Sequence, residues 1–159
     1  MTYTPEQISQ IVLKVLKEVE TPDVLKLSTK EKIKLAKDPN TPQETLAILA
    51  TDENSCVRYW VAQHPNASQE TLSILATDDD RSVRWGVAQN PNTSQEILKV
   101  LATDEDSFVR RGVAENQNTS QEILKVLATD EDWCIRCVVA LNQNTSQETL
   151  AILATDKNR

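Results

Sequence analysis

Three sets of residues in this chain have types and spacings that could do chemistry. Cys134 and Cys137 bracket Ile135-Arg136 in a C-x-x-C pair, the spacing of a redox dithiol or of part of a zinc or iron–sulfur site. Acidic residues cluster at Asp52-Glu53, Asp78-Asp79-Asp80, Asp104-Glu105-Asp106 and Asp130-Glu131-Asp132, and repeated carboxylates can ligate calcium. Arg58, Arg84, Arg110 and Arg136 each follow the first of those aspartates at a fixed interval, a column that could receive phosphate or carboxylate.

Each set lacks the rest of its site. Cys56 occupies the column of Cys134 three units earlier, roughly 30 Å away if stacked helices lie about 8 to 10 Å apart. The single histidine, His64, is also distant, so no metal or cofactor is expected at the thiols. The acidic clusters lack the Asp, Asn and Gly spacing of an EF-hand loop. They suit the N-terminus of a helix, where the dipole favours negative charge. An arginine present in every complete copy is what stacking demands, so that column is read as a repeating Asp–Arg bridge, within a unit or across units. Asn66-Ala67-Ser68, Asn92-Thr93-Ser94, Asn118-Thr119-Ser120 and Asn144-Thr145-Ser146 match the N-glycosylation pattern. Turn asparagines and helix-capping serines explain each of them.

A repeat holds these residues in register. Asn40, Asn66, Asn92, Asn118 and Asn144 are spaced 26 residues apart, and most intervening residues recur with them. A fixed period of this size marks a stacked array, in which neighbouring units complete one another's apolar faces. Each unit reads as two short helices. The first follows a Thr, Ser or Pro cap and covers Gln95 to Thr103 in the third copy; the second follows the acidic cluster and covers Ser107 to about Glu115. Neither is long enough to be stable alone, so the energy must come from packing between units.

Leu at 46, 72, 98, 124 and 150, Leu at 49, 75, 101, 127 and 153, and Ala at 50, 76, 102, 128 and 154 are core columns of the first helix. Ile48, Ile74, Val100, Val126 and Ile152 lie on its far side, which predicts a helix sandwiched between layers. The second helix keeps Val57, Val83, Val109 and Ile135, then Val61, Val87, Val113 and Val139, as one buried stripe. Beside it stand Trp60, Gly86, Gly112 and Val138, where the glycines point to close backbone approach.

At the N-terminus, Thr4-Pro5-Glu6-Gln7 predicts a helix from there to about Glu20, and Thr21-Pro22-Asp23 a short turn of helix through Leu27. Ser28 caps another helix over Thr29 to Lys37, ended by Asp38-Pro39. Glu31 and Lys32 stand there in place of the later Val-Arg, so residues 1–39 read as an N-terminal cap with a degenerate first repeat. Residues 40–159 carry four complete units and a last one that stops after its first helix. Ala151 to Asp156 either caps the array or meets another subunit, forming a homo-oligomer.

A net charge of -7 argues against a surface that neutralises phosphates, so neither nucleic acid nor membrane is an expected partner. The lysines between Lys26 and Lys37 are interleaved with Glu31 and read as a solvated face. Met1 to Gln10 lacks the pattern of a secretory signal, and the three cysteines fit no disulfide framework; a cytoplasmic location is expected.

The remaining variable positions lie opposite the valine stripe: Ser55, Tyr59 and Gln63; Arg81, Trp85 and Gln89; Ser107, Arg111 and Glu115; Trp133, Cys137 and Leu141. Aromatic and Arg side chains are enriched at binding hot spots. Tyr59, Trp85, Arg111, Trp133 and Arg81 are therefore the candidate residues for binding a protein or peptide partner.

The Leu-x-x-Leu-Ala of the first helix, the Val-Arg of the second and the Asn90-Pro91-Asn92-Thr93 turn resemble the leucine-rich repeat variant family over about residues 40–159. The resemblance implies an all-α, right-handed α-solenoid that alternates an α-helix with a shorter, often 3₁₀, helix. It also implies macromolecular binding, and the expected function is a non-enzymatic scaffold. HEAT-like repeats share the Asp and Val-Arg pattern in longer units. Some members of the variant family carry an N-terminal iron–sulfur cysteine cluster; no cysteine precedes Cys56 here, so that cofactor is not carried over. By analogy with HEAT-like lyases and glycosylases, the alternative function is an enzyme or enzyme subunit working in a concave groove. No Ser-His-Asp, Cys-His or ligand set supports it.

Overall fold

A computed structural model describes residues 24–156. The helix expected between Thr4 and about Glu20 lies outside the described residues. Within them, a 3₁₀ turn at Val24–Lys26 is followed by ten α-helices and no strand. The second helices of successive units are α1 (Thr29–Lys37), α3 (Ser55–Ala62), α5 (Arg81–Gln89), α7 (Ser107–Glu115) and α9 (Trp133–Leu141). The first helices are α2 (Gln43–Leu49), α4 (Gln69–Leu75), α6 (Gln95–Leu101), α8 (Gln121–Leu127) and α10 (Gln147–Ala154).

Local chemistry sets the boundaries. Ser68, Ser94, Ser120 and Ser146 accept the N–H three residues on and start α4, α6, α8 and α10, while Pro42 starts α2 with its fixed φ and no side-chain bond. Asn54, Asp80, Asp106 and Asp132 accept the N–H two residues on and start α3, α5, α7 and α9. Ser28 and Glu31 form a reciprocal capping box at α1. The second helix is α-helical in every unit, and it is the first that is mostly the shorter, in contrast to the alternation that the family resemblance implies. Each second helix has an oxygen cap at its start, and each after α1 keeps an unbroken apolar stripe along its length, so nothing forces the tighter 3₁₀ winding.

Successive second helices pack directly on one another, from α1 through α9, and each first helix packs on the second helices that flank it. The leucine columns of the first helix and both valine columns of the second meet between these rows and are almost fully buried, except in α10, where Leu150 and Leu153 are half-buried. The first helices are not sandwiched. Val100 and Val126 are 60% and 57% exposed, because the first helices form an outer row that no further layer of the described residues covers. Ile48, in the same column, is buried because the Val24–Lys26 turn packs against α2.

The polar columns seal unit to unit. Arg58 donates through Nε and Nη2 to the Asp78 carboxylate of the next unit, at 2.6 and 2.8 Å, and through Nη1 to the Asp52 carbonyl of its own turn. Arg84 and Arg110 repeat this arrangement on Asp104 and Asp130, and Arg136 on Asp156. The bridge is therefore an inter-unit one. Lys32 takes the arginine's place in the first unit, with its Nζ 2.7 Å from Asp52. Hydrogen bonding to the carboxylate raises the pKa of each of these four guanidinium groups above its ordinary value. Burial pushes the Asp130 carboxyl up, but Arg110 and the N–H of Asp132 more than offset it, and the pKa is lowered.

At the opposite edge, buried Asn90 donates to the carbonyls of Ala62 and His64 in the preceding unit and accepts the N–H of Asn92. Asn116 and Asn142 do the same one and two units later. His64 fills this column two units before Asn116: its Nδ1 accepts the N–H of Asn66 and its Nε2 meets the Asp38 carbonyl at 2.8 Å. The ring therefore carries a proton on Nε2. The sequon asparagines also reach back, with Asn66, Asn92, Asn118 and Asn144 donating to the carbonyls of residues 39, 65, 91 and 117.

Candidate interaction face

The side of the second helices facing away from the valine stripe presents an aromatic row. The rings of Tyr59 and Trp85 lie parallel, with centroids 6.3 Å apart, and Phe108 stacks on Trp85 at 5.0 Å. Trp60 meets Tyr59 edge-on at 5.1 Å and carries Lys37 Nζ over its ring at 3.7 Å. Three of the expected residues are brought together here, since Tyr59 and Trp85 adjoin and Arg81 begins the helix that carries Trp85.

Tyr59 and Trp85 are only half exposed, because each also packs against the next unit. A Cβ on Gly86 would lie 3.3 Å from the Tyr59 ring, and one on Gly112 would lie 2.8 Å from Trp85 Cδ1. The glycines thus occur where the preceding unit carries an aromatic ring in this position. Where it carries Ile33 or Arg111, the corresponding residue is the larger Trp60 or Val138. Trp85 Nε1 is buried with no hydrogen-bond partner among the described residues.

The other expected residues stand free of the core. The side chains of Arg81 and Arg111 are 66% and 50% exposed, paired with Asp106 at 3.1 Å and Glu115 at 2.7 Å respectively. Burial would raise the Asp106 carboxyl, but its bonds to Arg81 and the Phe108 N–H bring it below its ordinary value. Trp133 is 56% exposed at the start of α9. Phe108 was not among the residues singled out from sequence: it lies on the flank of the stripe, in the column of Cys56, Ser82 and Cys134, and only its stacking on Trp85 brings it into the row. Cys134 and Cys137 are free thiols; partial burial and then the Asp132 carboxylate push the Cys134 thiol up, away from a reactive thiolate. Ala140 and Leu141 are exposed on α9, whereas Ala62, Ala88 and Ala114 in the column of Ala140 are fully buried under the following second helix.

Residues 31–89, from α1 through α5, match the family model of the Leucine Rich Repeat Variant domain. No curated protein and no solved structure matches the chain. The Leu-x-x-Leu-Ala and Val/Ile-Arg columns of the matched residues continue through α6 to α9. Over residues 31–89 the chain is thus similar to the leucine-rich repeat variant domain, and its described residues fold as an array of two-helix units consistent with a HEAT-like solenoid.

Proposed function

We propose that the protein is a non-enzymatic repeat scaffold that binds a protein or peptide across the front of α3, α5, α7 and α9, in the cytoplasm and without a cofactor. The observation that carries this reading is the division of labour among columns. Residues of the repeated arginine and asparagine seals recur in each unit and are buried or nearly so, whereas Phe108, Trp133, Arg81 and Arg111 stand in columns that vary from unit to unit and are exposed along the aromatic row. Rigid aromatic side chains flanked by guanidinium groups offer large contact area at small entropic cost. What the face gathers is recognition chemistry rather than a nucleophile with its base.

The test replaces Phe108, Arg111 and Trp133 together by alanine. Tyr59 and Trp85 stay in place, since their rings fill the slots above Gly86 and Gly112 and their loss would report on folding. Affinity capture from native lysate should lose its specific partner while the thermal melt moves little, as exposed positions usually shift stability by about 0.5 kcal/mol or less each. Capture of the same partner by the triple variant would place recognition elsewhere on the molecule.

A further inference from the structure

The cations of the repeat units divide into three groups. Arg58, Arg84, Arg110 and Arg136 are committed to the inter-unit seal through Nε, Nη1 and Nη2. Lys99 and Lys125 belong to the outer row of first helices. The remaining two in residues 40–156, Arg81 and Arg111, both stand on the front of the second helices, in adjacent units, on either side of the Trp85–Phe108 stack.

Their bonding differs from that of the seal arginines. Arg81 bonds to Asp106 through Nη1, and Arg111 bonds to Glu115 through Nε. Both carboxylates have other donors: Asp106 also caps α7 by accepting the Phe108 N–H, and Glu115 also accepts from Gln89. Each guanidinium therefore presents unengaged N–H groups at an exposed site, on the front of a chain whose net charge is -7. The two neighbouring edges carry the opposite sign. Glu53, Asp79, Glu105 and Glu131 line the turns between helices, and Glu70, Glu96, Glu122 and Glu148 stand in the first turns of the first helices.

On the reading that this face binds a peptide, we propose that its ligand is an acidic peptide segment carrying apolar side chains, laid across α5, α7 and α9. Arg81 and Arg111 take its carboxylates in forked, charge-assisted hydrogen bonds, and Phe108 and Trp133 take its apolar side chains. The acidic edges on either side repel an acidic segment and so confine it to the front, which also selects against a misplaced register.

The test uses the full chain and four short fluorescent peptides, followed by anisotropy. One alternates Glu and Asp with Leu and Phe; the second replaces its acids by Gln and Asn; the third replaces them by Lys; the fourth keeps the acids and replaces Leu and Phe by Ala. The first peptide alone should bind well, and more weakly as salt rises from about 0.05 to 0.5 M. Arg81→Gln with Arg111→Gln should weaken it about tenfold or more, the loss expected for two charge-assisted bonds. Lys99→Gln with Lys125→Gln removes the same charge from the outer row and should change nothing.

Equal binding of the neutral or basic peptide overturns the acidic assignment, and loss of that binding in Phe108→Ala with Trp133→Ala would leave the face itself standing. Equal weakening by the lysine pair also overturns it, as would tighter binding of a single-stranded oligonucleotide. If none of the peptides binds, both the assignment and the face reading fail.

Discussion

Alanine at Gly112 should destabilise the protein, and the same substitution should stabilise it once Trp85 has been cut back to alanine. In the helix interior, Gly→Ala gains about 1 kcal/mol of intrinsic propensity. The new Cβ, however, would stand 2.8 Å from Trp85 Cδ1 and 3.1 Å from both Trp85 Nε1 and Ala88 Cβ. Overpacking of this kind costs about 1 to 3 kcal/mol, so the net result is a loss of about 1 kcal/mol.

Removal of the indole leaves only the Ala88 contact, which a shift of a few tenths of an ångström relieves, and the propensity gain of about 0.5 to 1 kcal/mol then shows. Trp85→Ala by itself costs stability, at the low end of the roughly 3 to 5 kcal/mol of a core aromatic, since the ring is half exposed and its buried Nε1 has no partner. Urea melts of the four proteins of this cycle give a coupling of about 1 to 3 kcal/mol. A coupling below about 0.5 kcal/mol, or a stabilising Gly112→Ala in the otherwise native chain, would show that the glycine column has nothing to do with the ring above it.

His64→Asn should be close to neutral in a thermal melt, because the asparagines that fill this column elsewhere bond to the same kinds of carbonyl and N–H; His64→Leu should cost about 2 to 4 kcal/mol by orphaning the Asp38 carbonyl and the Asn66 N–H. Arg110→Gln should cost about 3 kcal/mol by urea denaturation, and Asp130→Asn added to it should cost much less than in the native background, since the pair is almost buried and fails as a unit. Acid should unfold the protein: the Asp80, Asp106 and Asp130 carboxyls have lowered pKa values, so their stabilisation is complete above their unfolded values of about 3.9 and is lost as pH falls through the lower folded values. A circular-dichroism titration showing loss of helix already near pH 6 would contradict this.

Much of the fold was legible because its determinants are local or periodic. The caps at Ser28, Ser94 and Asp106 are set by neighbours within three residues, and the Leu98 and Val109 columns declare themselves by recurrence. The partner of Arg58 could not be read, because Asp52 and Asp78 occupy the same column and sequence spacing does not say which one the guanidinium reaches. Val100 was misplaced because an apolar residue signals a buried face only when a layer exists to cover it. The geometry of a single helix places Tyr59 and Trp85 on the surface; the adjacent unit supplies a glycine slot, which makes them wall as well as surface. His64 falls in the asparagine column at a spacing of 26 residues, but only its bonds to the Asp38 carbonyl and the Asn66 N–H show that an imidazole does the asparagine's work there.

The seals have a direction. Arginines reach forward to the following unit, and asparagines reach back to the preceding one. Any stretch of 26 residues therefore carries one half of each bond and finds the other half on its neighbours. Duplicating residues 92–117 in place would lengthen the array without orphaning a donor or an acceptor, whereas an insertion of any other length would break every bond across the join. The protein can change length by genetic duplication only in whole steps. The front columns lie outside the repeated arginine and asparagine seals and differ from copy to copy, so the length of the display surface and most of what is written on it are separately adjustable.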